Sequence, residues 1–166
     1  MLGQLIAAGN TTTLSHYLDL LNQAGLLAGL EKFAPDHTRQ RSSSPKFQIY
    51  NTALITAQRH ESYTDLLQQP AIWGRLVESA IGAHLVNHAL TDKISVSYWR
   101  DRNDEVDFVI RKNGKVIGLE SSSGESHKRS GMEAFNKKFR PHRVLLIGKT
   151  GIPIEEFLMI NPGELF

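Results

Sequence analysis

The chain has 166 residues, 40% hydrophobic and 22% charged, which suits one globular domain, or one plus a small neighbour, and excludes disorder throughout. Its 19 Lys and Arg against 17 Asp and Glu leave a formal charge of +2, too small to mark nucleic acid or membrane as a partner, so any basic surface must be local. With no cysteine, disulfides, thiolate nucleophiles and cysteine-bound zinc are excluded; no apolar run nears the ~20 residues of a membrane helix, and a cytoplasmic protein without membrane attachment is expected.

Residues 1–33 read as helical, with Leu14, Tyr17, Leu18 and Leu21 at three- and four-residue spacing, Thr12 or Thr13 at the cap and Gly25 as a stop. Beyond the glycine, residues 26–30 and 47–50 are short apolar runs around a polar, basic stretch from Pro35 to Lys46. Helix followed by a long-looped β-hairpin is the second half of a winged helix. Only Leu2 to Ala8 precede the helix starting at Thr11, too little for a three-helix module, so Met1 is expected to open a fragment. The pattern loosens from Asn51 to Gln69, and Pro70 opens a helix over 71–90 containing Trp73, Val77, Ala80, Ile81, Leu85 and Ala89. Strands are expected at 95–99, 105–111 and 115–121, then a helix at 132–139 and an apolar strand at 144–147. The chain therefore divides into a partial winged-helix segment, 1–55, and an αβββαβ unit, 56–166, of α/β (α+β) class.

Asn113-Gly114 between two alternating runs is a hairpin turn, so the register counts outward from it. Lys112 faces Lys115, Ile110 faces Ile117, Phe108 faces Leu119 and Asp107 faces Glu120. Alternation puts Val106, Phe108 and Ile110 on one face, with Asp107 and Glu120 paired on the other. Carboxylates on one rung, with Cβ atoms roughly 4.5 to 5.5 Å apart, repel unless a proton or cation intervenes. Mg²⁺, or Mn²⁺ in its place, would take one or two of them and leave sites for water and a substrate phosphate. A solvated edge hairpin whose acids pair with Arg or Lys explains the same spacing. Glu78 lies on a stripe with Gly74, Ile81, Gly82 and Leu85, so it borders the sheet-facing side of its helix; a partner in Arg75 or Lys93 is the simpler alternative.

The runs Gly74-Arg75-Leu76-Val77-Glu78-Ser79, Tyr98-Trp99-Arg100-Asp101, Glu105-Val106-Asp107-Phe108-Val109-Ile110 and Gly118-Leu119-Glu120-Ser121-Ser122-Ser123-Gly124 together resemble the carboxy-terminal domain of a family of prokaryotic AAA+ ATPases. That domain resembles the restriction-endonuclease-like, PD-(D/E)xK fold, and residues 14–27 with Ser44-Pro45-Lys46 are similar to the winged-helix remnant that precedes it. The resemblance implies Glu78 as the helix glutamate, Asp107 and Glu120 as metal ligands, and an upstream ATPase domain as partner. It fails at Ser122, where the pattern has a lysine; a hydroxyl supplies no charge to a developing phosphorane. Lys128 or Arg129 could restore the cation, or could simply solvate a loop.

Gly148-Lys149-Thr150 mimics a phosphate loop without its glycines, and His84 and His88 share a helix face without a clear third ligand. Basic clusters at Arg39, Arg41 and Lys46, and at Lys137 and Lys138, are candidate DNA contacts. Leucines near the amino terminus could form an apolar patch and favour a homo-oligomer. Two functions are expected to compete: a degenerate or weak Mg²⁺-dependent phosphodiesterase associated with DNA, and a silent binding or assembly module regulating the ATPase.

Overall fold

The computed structural model describes residues 11–34, 43–122 and 130–166. Helix α1 (Thr11–Gln23) closes at Gly25, whose φ of 67° is left-handed and free of a Cβ penalty there, and the Leu26 N–H returns to the Leu21 carbonyl. The residues that follow are strand, as the apolar run at 26–30 beyond the Gly25 stop suggested. Strand β1 (Leu27–Lys32) pairs antiparallel with β2 (Lys46–Ile49), Leu27 opposite Ile49 and Leu30 opposite Lys46. Alternation accounts for the strand, since Ala28 and Leu30 are buried while Gly29 and Glu31 are not.

Residues 51–69, without a clear pattern in the sequence, carry two short helices, α2 (Ala53–Thr56) and α3 (Tyr63–Leu67). The second is started by a capping box: the Ser62 hydroxyl accepts the Asp65 N–H while the Asp65 carboxylate accepts the Ser62 N–H. Helix α4 (Pro70–Ala89) begins with proline, where a missing N–H costs nothing, and buries Val77, Ile81 and Leu85 along one stripe. Strands β3 (Ser95–Asp101), β4 (Asp104–Lys112) and β5 (Lys115–Ser122) form a meander, followed by α5 (Ser130–Phe139), β6 (Arg143–Gly148) parallel to β5, α6 (Ile154–Met159) and a 3₁₀ turn at Pro162–Glu164. The order from α4 to β6 is αβββαβ, and the fold is α+β. All six strands lie in one sheet, β2-β1-β3-β4-β5-β6, because β1 also pairs parallel with β3 at Glu31 and Ser97.

Two cores flank this sheet. Ile81 and Leu85 of α4 pack on Phe108, Ile110, Ile117 and Leu119, whereas Phe135 of α5 packs on Trp99, Val106 and Val109. Val109 and Ile110 are consecutive on one strand, so the helices cover opposite faces. Burial of these side chains removes about 1.5–3 kcal/mol of apolar exposure apiece and supplies the main drive for sheet formation. Asn113 and Gly114 take φ of 49° and 80°, the left-handed pair that a tight hairpin needs, and the register from Lys112↔Lys115 to Phe108↔Leu119 is the one counted from that turn.

One face assignment is corrected. Ser97 pairs with Val109 but Trp99 pairs with Val106, so β4 carries an extra residue opposite Tyr98. This bulge turns Val106 toward α5, away from the core that takes Phe108 and Ile110. Beside it, Gly82 lets α4 approach: a Cβ there would lie 2.0 Å from Gln48 Oε1 and 2.7 Å from the Phe108 ring. Gln48, buried on β2, donates from Nε2 to the Ser79 and Ile49 carbonyls and ties the hairpin to the helix.

Candidate functional site

The end of the β4–β5 ladder brings the candidate acids together. One step beyond the Phe108↔Leu119 pair, the Asp107 carboxylate takes a ladder partner's place: its Oδ2 accepts the Ser121 N–H at 2.8 Å and the Ser121 hydroxyl at 2.6 Å. Such charge-assisted bonds are stronger than neutral ones and fix the carboxylate in orientation. The bulge also changes what Asp107 faces. Lys46 Nζ lies 3.9 Å from Asp107 Oδ1 and 4.9 Å from the Phe108 ring centroid, so these consecutive residues meet one cation instead of pointing apart.

Lys46 has partners that the sequence did not suggest. Expected as a phosphate contact of the wing, it points into the acids: its ammonium pairs with Glu78 Oε1 at 2.6 Å and donates to the Asp107 carbonyl at 3.2 Å. Glu78 therefore borders the sheet as its stripe suggested, but its partner is neither Arg75 nor Lys93. Position 46 is separated from Asp107 by 61 residues. No spacing rule reaches that far; the basic cluster and the likeness of Ser44-Pro45-Lys46 to the family pattern singled out the segment without its partners.

Glu120 sits beside this cluster. Its Oε2 is buried and has no hydrogen-bond partner among the described residues. Burial, then the negative charge of Asp107, push its carboxyl up to about 8, partly opposed by the Asp107 backbone N–H and Lys46. At neutral pH the group is thus mainly protonated, which answers the repulsion expected between the two acids with a proton. Ser122 is fully buried, two residues on. A hydroxyl fits that space; the lysine of the family pattern would bring a charge into it.

Lys128, Arg39 and Arg41 lie outside the described residues. Lys137 is exposed in the last turn of α5, and its neighbour Lys138 pairs with Asp101 while lying over the Trp99 and Phe139 rings. This end of α5 is a basic patch of the described surface, remote in sequence from the acids. Trp99 is the core aromatic of the Tyr98-Trp99 pair, and Tyr98 donates its hydroxyl to the Ser44 carbonyl. The His84 and His88 rings lie 4.6 Å apart and tilted by 60°, with His84 Nε2 donating to the Ile160 carbonyl and His88 Nδ1 to the His84 carbonyl. Gly148-Lys149-Thr150 ends β6 with Gly148 at φ 125°, and the Lys149 N–H returns to Ser122 O, so it forms no phosphate loop. Among the described residues no cluster of three His, Asp or Glu side chains is arranged to hold a metal ion, and no helix is long and apolar enough to cross a membrane.

Residues 73–162, from the first turn of α4 to the final 3₁₀ turn, match a family described as a domain of unknown function, DUF4143. Neither the curated proteins nor the solved structures yield a match.

Proposed function

The chain belongs to the DUF4143 family, and from that premise we propose that it is the DNA-associated, nuclease-like carboxy-terminal region of a cytoplasmic AAA+ ATPase, acting as a binding module whose phosphodiesterase site is degenerate. The observation that carries this reading is Ser122, fully buried at the position where the PD-(D/E)xK pattern has its lysine. The αβββαβ order and the gathering of Glu78, Asp107 and Glu120 at one ladder end support the nuclease-like ancestry. Glu120, mainly protonated near neutral pH, and Lys46, paired with Glu78, support the loss of activity. The basic end of α5, with Lys137 free of the aromatic contacts that hold Lys138, is the surface offered to phosphates, and binding through it would weaken with salt.

Fluorescence anisotropy on single-stranded, duplex and branched DNA, with the same reactions run on gels in Mg²⁺ and Mn²⁺, tests the proposal. The expected result is salt-sensitive binding, weakened by Lys137→Ala, with no cleavage product. Cleavage that disappears in Glu120→Ala would overturn it. A second reading, a weak Mg²⁺-dependent deoxyribonuclease, is favoured by one observation, the electrostatic adjacency of Asp107 and Glu120, and that cleavage result would establish it. Absence of binding to every DNA at low salt would leave only the assembly role on the ATPase.

A further inference from the structure

The acids at the ladder end do not fit a hard divalent ion as they stand. Asp107 Oδ2 is already engaged by two donors of Ser121, and Glu78 Oε1 is engaged by Lys46 at 2.6 Å. Mg²⁺ demands near-octahedral oxygen ligands at roughly 2.0–2.1 Å, which these oxygens could supply only after giving up their present partners. A cation is nevertheless in place. The Lys46 ammonium touches Glu78, hydrogen-bonds the Asp107 carbonyl, lies 3.9 Å from Asp107 Oδ1 and sits over the Phe108 ring, so four features of one pocket face a single positive charge.

We propose that Lys46 is the resident cation of this site: delivered by β2, its ammonium stands where a divalent metal ion would have to bind, and it keeps the site closed to such ions while the hairpin is docked. The inference rests on the nuclease-like reading above. Two contacts hold the lysine in register. Gln48, two residues along the same strand, is locked against Ser79 and Gly82, and the Tyr98 hydroxyl holds the Ser44 carbonyl on the other side. These contacts fix the backbone on both flanks, and the side chain itself is held by Glu78, the Asp107 carbonyl and the Phe108 ring. Mg²⁺ and the ammonium would also repel each other at contact distance, so occupancy by one opposes occupancy by the other.

The test is Mn²⁺ binding to the whole chain, read by electron paramagnetic resonance as loss of the free-ion signal. Wild type should bind no Mn²⁺ at millimolar concentration. Lys46→Met should raise the affinity by at least about tenfold, and Lys46→Met combined with Asp107→Asn should abolish the gain. Wild-type binding that Asp107→Asn removes, or no gain in folded Lys46→Met, would overturn the proposal. Should Lys46→Met not fold, wild type alone decides the matter through amine labelling followed by mass spectrometry. Lys46 should label at least about tenfold more slowly than exposed Lys137, at a rate that Mg²⁺ leaves unchanged; acceleration by Mg²⁺ would mean that the metal displaces it. Mn²⁺ binding by wild type without DNA cleavage would remove the resident cation yet leave the binding module standing, whereas cleavage would remove the module.

Discussion

One oxygen of Asp107, Oδ2, accepts both the main-chain N–H and the hydroxyl of Ser121. The double acceptance holds the carboxylate at the end of the ladder, where backbone pairing of β4 and β5 gives way to side-chain contacts. Ser121→Ala deletes the hydroxyl bond and leaves the N–H bond. A partly exposed bond to a charged acceptor should contribute about 1–2 kcal/mol. Urea unfolding should show that loss, with Ser121→Thr close to wild type; identical midpoints for the alanine and wild-type chains would show that the hydroxyl contributes nothing.

Glu120 predicts a pH dependence of stability. Its carboxyl, normally near 4.5, is held up to about 8 in the folded protein. The native state thus keeps a proton that the unfolded chain releases. The stabilisation is complete below about pH 4.5 and disappears as pH rises through 8, at up to ~1.4 kcal/mol per pH unit in that window. Glu120→Gln, neutral at every pH, should flatten this slope. Asp107→Asn, by deleting the second cause of the shift, should lower the Glu120 midpoint in a carbon-detected NMR titration. A Glu120 that titrates in the ordinary carboxylate range would contradict the burial described.

At Gly82 two effects oppose each other. Alanine should favour the helix by about 1 kcal/mol on propensity alone. The added Cβ would, however, lie 2.0 Å from Gln48 Oε1, and the Gln48 amide cannot yield without breaking its bonds to Ser79 and Ile49. Overpacking of this kind costs about 1–3 kcal/mol. Gly82→Ala is therefore expected to lower the thermal midpoint, and pairing it with Gln48→Ala, which removes the closer contact and leaves that with Phe108, should reduce the loss. A more stable single variant would mean that the helix stands further from β2.

Ser122→Lys is the direct way to restore the lysine of the family pattern. Ser122 has no exposed surface, though, and an ammonium there would be desolvated. The substitution should destabilise the protein by at least about 2 kcal/mol, in the range typical of an uncompensated buried charge. Calorimetry can check this. A Ser122→Lys chain as stable as wild type would show that the site has room and an unused counter-charge.

The parts legible in the sequence are those set by nearby residues. Asn113-Gly114 determines its own hairpin because only the two strands that flank it are involved, and the register follows by counting. Helix α4 was evident from Pro70 and its apolar stripe. The short helices α2 and α3 escaped a reading based on periodicity, since four or five residues make little more than one turn; Ser62-Tyr63-Thr64-Asp65 was nonetheless a readable capping box. The bulge opposite Tyr98 left no mark on the alternation of Val106, Phe108 and Ile110, because each of these residues is apolar and suits either core. Lys46 was illegible for a different reason. Its partners come from α4 and β4, and only the assembled sheet brings them to it.

The parallel seam between β1 and β3 constrains the order in which the molecule can be completed. Glu31 meets Ser97 across more than sixty residues of intervening chain, whereas β3, β4 and β5 need only close turns. Loop closure over the longer span loses more entropy before any contact compensates it. During synthesis the hairpin therefore leaves the ribosome early and waits, its inner edge unsatisfied, until the meander has been made and can receive it.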